Sequence, residues 1–302
     1  MLFRSVALGA VGVFLAIFFG YYFSNLFYGF NSNQLLSAAI ALVLWLGIST
    51  LGPFFIKSAN IGLLFAFLDT LVVWFWLQNK FSLFTLIAAA ALFLALFFAF
   101  LKGRAEINDS LKIRFVRISR RILRSALTGI AFLAAFYLLG FLNFPKLTIS
   151  DRAFEFFLKG AEPIIAQIIA GFSLEAPFDK TLENFIRSRS PQGTQEALIR
   201  GAVNDVRQNI IKATDTFISP IDKTTQVLYN ISISKLLTLP RAFKILVFIA
   251  IGLLVFFLVK SAVFFLGWLI IVIALLAYEV LFAFNFGYLA SENRTKEVII
   301  VN

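Results

Sequence analysis

Histidine and cysteine are both absent from the 302 residues. Without them the chain has no disulfide, no thiol nucleophile, no thiolate or imidazole metal ligand and no histidine acid–base catalysis. HExxH metalloproteases and every triad that needs histidine are excluded on the same ground. Charge is scarce too, with only 14% of residues Asp, Glu, Lys or Arg. Nucleotide-binding fingerprints and GxSxG are missing, as is any acidic cluster in an apolar run that would suit a divalent metal. The sequence therefore supports neither a cofactor nor a catalytic centre. Two marks of secondary transporters, an inverted repeat and a matched pair of broken helices, are also missing.

What remains is overwhelmingly apolar. Hydrophobic residues make up 60% of the chain and Phe alone supplies 39 positions, for a mean hydropathy of +0.90. Runs of about 18 or more such residues read as membrane spans. Five fall at residues 5–28, 34–56, 61–78, 81–101 and 125–143. The first follows Arg4 but is long and lacks a small-x-small cleavage site, so it reads as an uncleaved anchor rather than a signal peptide. The last apolar block, 242–287, would be about 69 Å long as one helix, more than twice a hydrocarbon core. Its one polar break, Lys260-Ser261, predicts a fold-back into spans at 240–259 and 262–286.

The expected fold class is all-α: a polytopic helical bundle of about seven spans with a helical insertion between the fifth and sixth. Its parts are a five-span domain at 1–143, a helical domain at 144–239, a two-span hairpin at 240–287 and a polar tail at 288–302. The net charge of +11 is concentrated beside the spans. Residues 102–124 carry Lys102, Arg104, Lys112, Arg114, Arg117, Arg120, Arg121 and Arg124 against Glu106 and Asp109. Short loops with such an excess stay cytoplasmic. Counting spans then puts the N-terminus inside, and 144–239 and the C-terminus outside, in a cell membrane. No stacking platform or nucleic-acid module accompanies the arginines, so nucleic acid is not an expected partner.

Within that basic segment Leu111, Phe115, Ile118 and Ile122 share one helical face, and Arg114, Arg117, Arg121 and Arg124 hold the other. The pattern predicts a surface helix whose guanidinium groups reach anionic headgroups at the cytoplasmic face. The plainer alternative is that these charges only set topology. In the insertion, 150–172 is unusually apolar and interrupted by Pro163, which leaves an interfacial helix, a re-entrant hairpin and a core helix all open. A further helix at 194–217 presents Leu198, Ala202, Val206, Ile210, Ala213 and Phe217 on one face.

Two acids stand inside spans, Asp69 and Glu279. Charge at bilayer depth is costly and more often serves a pathway or a pairing than a lipid-facing surface. Asp69 is the candidate proton or cation site; its plainer use is as a neutral carboxyl bonded to Ser49, Thr50 or a backbone carbonyl of the neighbouring span. Glu279, with Asn285 nearby, reads as closer to the outer surface. Small residues recur every four positions at Gly12, Ala16 and Gly20, and again at Ala91, Ala95 and Ala99. Such stripes let helices approach closely in lipid, within one chain or in a homo-oligomer. Two function classes follow. One is a non-enzymatic scaffold or assembly factor whose outer helices bind a membrane or envelope protein; the other is a transporter or channel in which Asp69, with Glu279 as a second candidate, binds a proton or cation.

Overall fold

The computed structural model describes residues 2–27, 32–78, 80–110, 112–142, 148–169, 171–191, 194–292 and 296–301. The chain is a multi-pass membrane protein, helical apart from one terminal hairpin, and it divides into two compact units. Unit one comprises Met1–Leu26, Asn31–Gly140 and Ala250–Asn302; unit two comprises Phe27–Phe30 and Phe141–Ile249.

Unit one begins with α1 (Leu2–Asn25), α2 (Ser32–Ser49) and the single turn α3 (Gly52–Phe55). Pro53 opens α3, where its missing N–H costs nothing. There follow α4 (Ala59–Trp76), α5 (Leu83–Asp109) and α6 (Phe115–Phe141). α1 packs along both α2 and α4. Most of α6 is buried, so it is the core helix of the bundle.

The segment 115–124 is not a separate surface helix. It forms the first turns of α6, and α5 runs on to Asp109, so the basic loop shrinks to residues 110–114. Phe115, Ile118 and Ile122 are buried; Leu111 lies outside the described residues. The physical reason is continuity. The same stripe carries on through Ala126, Gly129 and Leu133, all buried, so one face serves the bundle from end to end.

The largest departure from expectation is α11 (Arg241–Ala283), one unbroken helix of 43 residues. Among the described residues six helices are long and apolar enough to cross a membrane, where the sequence suggested about seven spans. Lys260 and Ser261 do not break it, because neither removes a backbone donor as proline does. The lysine stem can lie along apolar surface, and its Nζ sits 5.3 Å from the Phe256 ring centroid. α11 ends where Asn285 adopts a left-handed conformation (φ 54°), a common helix stop.

An unbroken α11 carries the C-terminal segment to the end of unit one where the chain begins. Arg4 Nη1 donates to the Asn285 carbonyl at 2.6 Å, and the Arg4 guanidinium lies 5.8 Å from the Phe286 ring centroid. The expected placement of the C-terminus opposite the N-terminus is thereby corrected. Aromatic rings lock this end together: Phe54 and Phe115 meet at 5.1 Å, Phe115 and Tyr278 at 4.8 Å, and Phe55 and Phe286 at 5.4 Å. The polar tail pairs as antiparallel strands β1 (Gly287–Glu292) and β2 (Lys296–Val301), with Gly287 opposite Val301. The β-branched run Val298-Ile299-Ile300-Val301 favours such pairing.

Unit two contains α7 (Asp151–Ile168), α8 (Phe178–Arg189), α9 (Glu196–Thr214), α10 (Thr224–Thr238) and the first turns of α11. α7 continues as one helix through Pro163, so the chain does not turn back between Asp151 and Ile168. Ser150 caps it by accepting from the Ala153 amide. The core is Phe178, Ile218 and Val227, with Leu182, Ile210, Ile211 and Ile231 packed around them. The Thr181 and Thr224 hydroxyls bond at 2.9 Å across it. On α9 the buried positions are Ile199 and Val203. Of the apolar face read from the sequence, Ile210 packs against the core, while Leu198 is 64% exposed and Phe217, beyond the end of α9, is 83% exposed.

Candidate intramembrane carboxylate site

Small residues bring α1 close enough to α2 and α4 to build a site. A side-chain carbon on Gly20 would stand 3.0 Å from the Val73 Cα, and one on Gly9 would overlap the Phe65 ring. Ala16 between them is fully buried. At Gly12 the fit loosens, and the nearest atom to that position is Ser49 Oγ at 3.8 Å. Here a cavity of about 70 Å³ opens, bordered by Gly12, Ser49, Thr50, Gly62 and Asp69. A water needs only some 10–15 Å³ on this measure, so the space accommodates several.

Asp69 is buried on α4, and its Oδ1 has no hydrogen-bond partner among the described residues. The same holds for Ser49 Oγ and for Trp45 Nε1. The Trp45 indole interacts with the Asp69 carboxyl without closing hydrogen-bond geometry. Thr50 is spent on its own helix, its hydroxyl set 2.8 Å from the Leu46 carbonyl and 2.7 Å from that of Gly47. Neither residue thus takes the bond that a neutral Asp69 would donate. Two unpartnered polar atoms, Asp69 Oδ1 and Ser49 Oγ, bordering one cavity in an apolar bundle are unusual, since buried polar atoms nearly always find partners.

Glu279 is not part of this site. It is exposed near the C-terminal end of α11, six residues before the Asn285 that meets Arg4. With α11 unbroken its expected position near the opposite surface does not hold. The second small stripe lies on α5, where Ala99 is buried and Ala91 and Ala95 are half-buried. The Ala95 methyl stands 2.4 Å from the point a side-chain carbon on Gly129 of α6 would occupy.

The four arginines singled out in the sequence divide into two kinds. Arg117 Nε lies 2.9 Å from Glu106 Oε1, and Arg121 pairs with Glu106 Oε2. Arg114 and Arg124 have no ion pair among the described residues and are exposed. The Glu106 carboxylate itself is buried. Its role was available in principle from spacing, because a tight hairpin centred near residue 111 sets 106 opposite 117. Trp45 gave no comparable signal, being one aromatic among many.

Unit two holds an open polar pocket of about 310 Å³ bordered by Asp151, Glu155, Glu175, Lys223 and Tyr229. Lys223 Nζ lies 2.6 Å from Glu175 Oε2 and holds that carboxyl below the usual range. Arg207 pairs with Asp179. Among the described residues no group of three or more acids could hold a metal. Large apolar side chains stand out instead: Ile168, Leu198, Phe217 and Ile221 are all more than half exposed. No protein-family model, curated protein or solved structure matches the chain, so its sites are read from its own residues alone.

Proposed function

We propose that this chain is a non-enzymatic interaction or assembly factor of the cell envelope, anchored by its spans and working through the helices of unit two. The observation that carries this reading is the apolar stripe on and after α9. Leu198, Phe217 and Ile221 are 64%, 83% and 82% exposed while Ile199 and Val203 fill the core. Apolar surface that folding leaves uncovered is a usual mark of a binding face. The arginine-dense α5–α6 hairpin, Arg4 and Lys57 face the cytoplasm in this reading, which sets residues 144–239 on the other side.

A photoreactive residue at Phe217, in native membranes, is expected to capture one discrete protein, and Leu198→Ser is expected to weaken that adduct. Recovery of lipid adducts alone would overturn the reading.

A second reading rests on a separate observation, Asp69 Oδ1 and Ser49 Oγ without hydrogen-bond partners among the described residues and bordering one cavity. In it Asp69 binds a proton or a small cation and the bundle responds. Asp69→Asn is expected to abolish proton- or cation-coupled flux in liposomes while leaving the fold intact. Absence of flux in the parent chain, or survival of flux in the variant, removes this reading and leaves the first untouched.

A further inference from the structure

Five arginines surround the start of α6, and the fold uses only some of them. Glu106 takes Arg117 and Arg121. Arg120 and Arg124 are left without a carboxylate partner among the described residues, four positions apart on one side of the helix and both exposed. Like charges at this spacing repel and destabilise a helix unless an anion lies between them. The Arg120 guanidinium is held over the Trp268 ring of α11, 4.4 Å from its centroid. Beside these three residues runs a cleft of about 210 Å³ between α6 and α11, its walls including Leu123, Leu127, Phe264 and Gly267. One end of the cleft is doubly cationic; the rest is hydrocarbon.

We propose that this cleft binds an anionic phospholipid, with its phosphate between Arg120 and Arg124 and an acyl chain against Leu127 and Phe264. The guanidinium fork matches phosphate oxygens in geometry as well as charge. Stacking on Trp268 fixes one fork in place, and the indole suits the headgroup level of a bilayer. The apolar wall selects a lipid over a soluble phosphate, which has nothing to place there. Arg117 and Arg121, both engaged by Glu106, do not line the cleft and take no part. The site is independent of what unit two binds.

The test is lipid retention by the purified full-length chain in detergent, read by native mass spectrometry during titration with phosphatidylglycerol or phosphatidylcholine. Two basic groups near the surface predict a preference of about thirtyfold for phosphatidylglycerol. Arg120→Gln with Arg124→Gln is expected to reduce phosphatidylglycerol to the phosphatidylcholine level, whereas Arg114→Gln, outside the cleft, leaves the preference in place. Gly267→Leu keeps every charge but fills the groove, since its side chain starts 3.6 Å from Leu127 Cδ1, and it too is expected to release the lipid. A large excess of inorganic phosphate is expected not to compete. Equal affinity for the two lipids, undiminished phosphatidylglycerol binding in the paired Gln variant, or displacement by inorganic phosphate overturns the proposal. If the paired variant does not fold, Gly267→Leu decides: parent-like binding in it overturns the proposal, and loss supports it.

Discussion

Glu106 is a buried carboxylate served by two largely solvated guanidinium groups. The asymmetry sets the expected cost of breaking the pairing. Removing both arginines strands a buried charge, whereas removing Glu106 only returns two exposed side chains to water. Arg117→Ala with Arg121→Ala is therefore expected to lower stability by about 1–3 kcal/mol, the range reduced for solvent screening. Glu106→Gln is expected to cost less. Thermal melts in detergent compare the two, and a costlier Glu106→Gln would show that the arginines carry the burden. At this scale single chemical oddities were legible: Asp69 stands out in "AFLDTLVV" because an acid has no ordinary place there. Its surroundings were not. That Thr50 turns back on its own helix, while Ser49 is left unpaired, depends on side-chain directions that sequence spacing does not specify.

Between elements, the decisive contacts are those where a side chain cannot fit. Gly129 on α6 admits the Ala95 methyl of α5 with no room for a carbon of its own. Gly129→Val is expected to push the helices apart and lower stability by about 1–3 kcal/mol. Adding Ala95→Gly should recover much of the loss, because it removes the methyl that collides. Absence of any recovery in that double variant, by thermal inactivation, would place the clash elsewhere. Helix positions were readable because apolar runs of span length rarely form anything but membrane helices. Two apolar faces left their partners open for one reason. The stripe of 115–122 and the stripe of α9 were both recognisable as apolar, yet pattern alone does not say whether such a face meets protein, lipid or water.

The side on which each segment lies belongs to the molecule as a whole. One misplaced turn changes it, since a single helix across 241–283 in place of a hairpin moves the C-terminus to the other end. The lack of native cysteine makes the arrangement easy to test with single cysteines and an impermeant maleimide. Ser110→Cys and Ser291→Cys are expected to label from one side, and Asp205→Cys from the opposite side. Labelling of positions 291 and 205 from the same side would restore the fold-back at Lys260.

Composition by itself determined that this polypeptide dissolves in a bilayer, that it does so as helices, and that no thiol or imidazole chemistry is open to it. Transfer free energy and the need to satisfy every backbone group act on each residue in turn, so they can be summed along a string. Only the tertiary structure decided that Glu106 meets Arg117 and Arg121, that Asp69 faces a small cavity, and that Arg120 stacks on Trp268. Those outcomes turn on which faces meet and at what distance, and residues far apart in the chain settle that jointly.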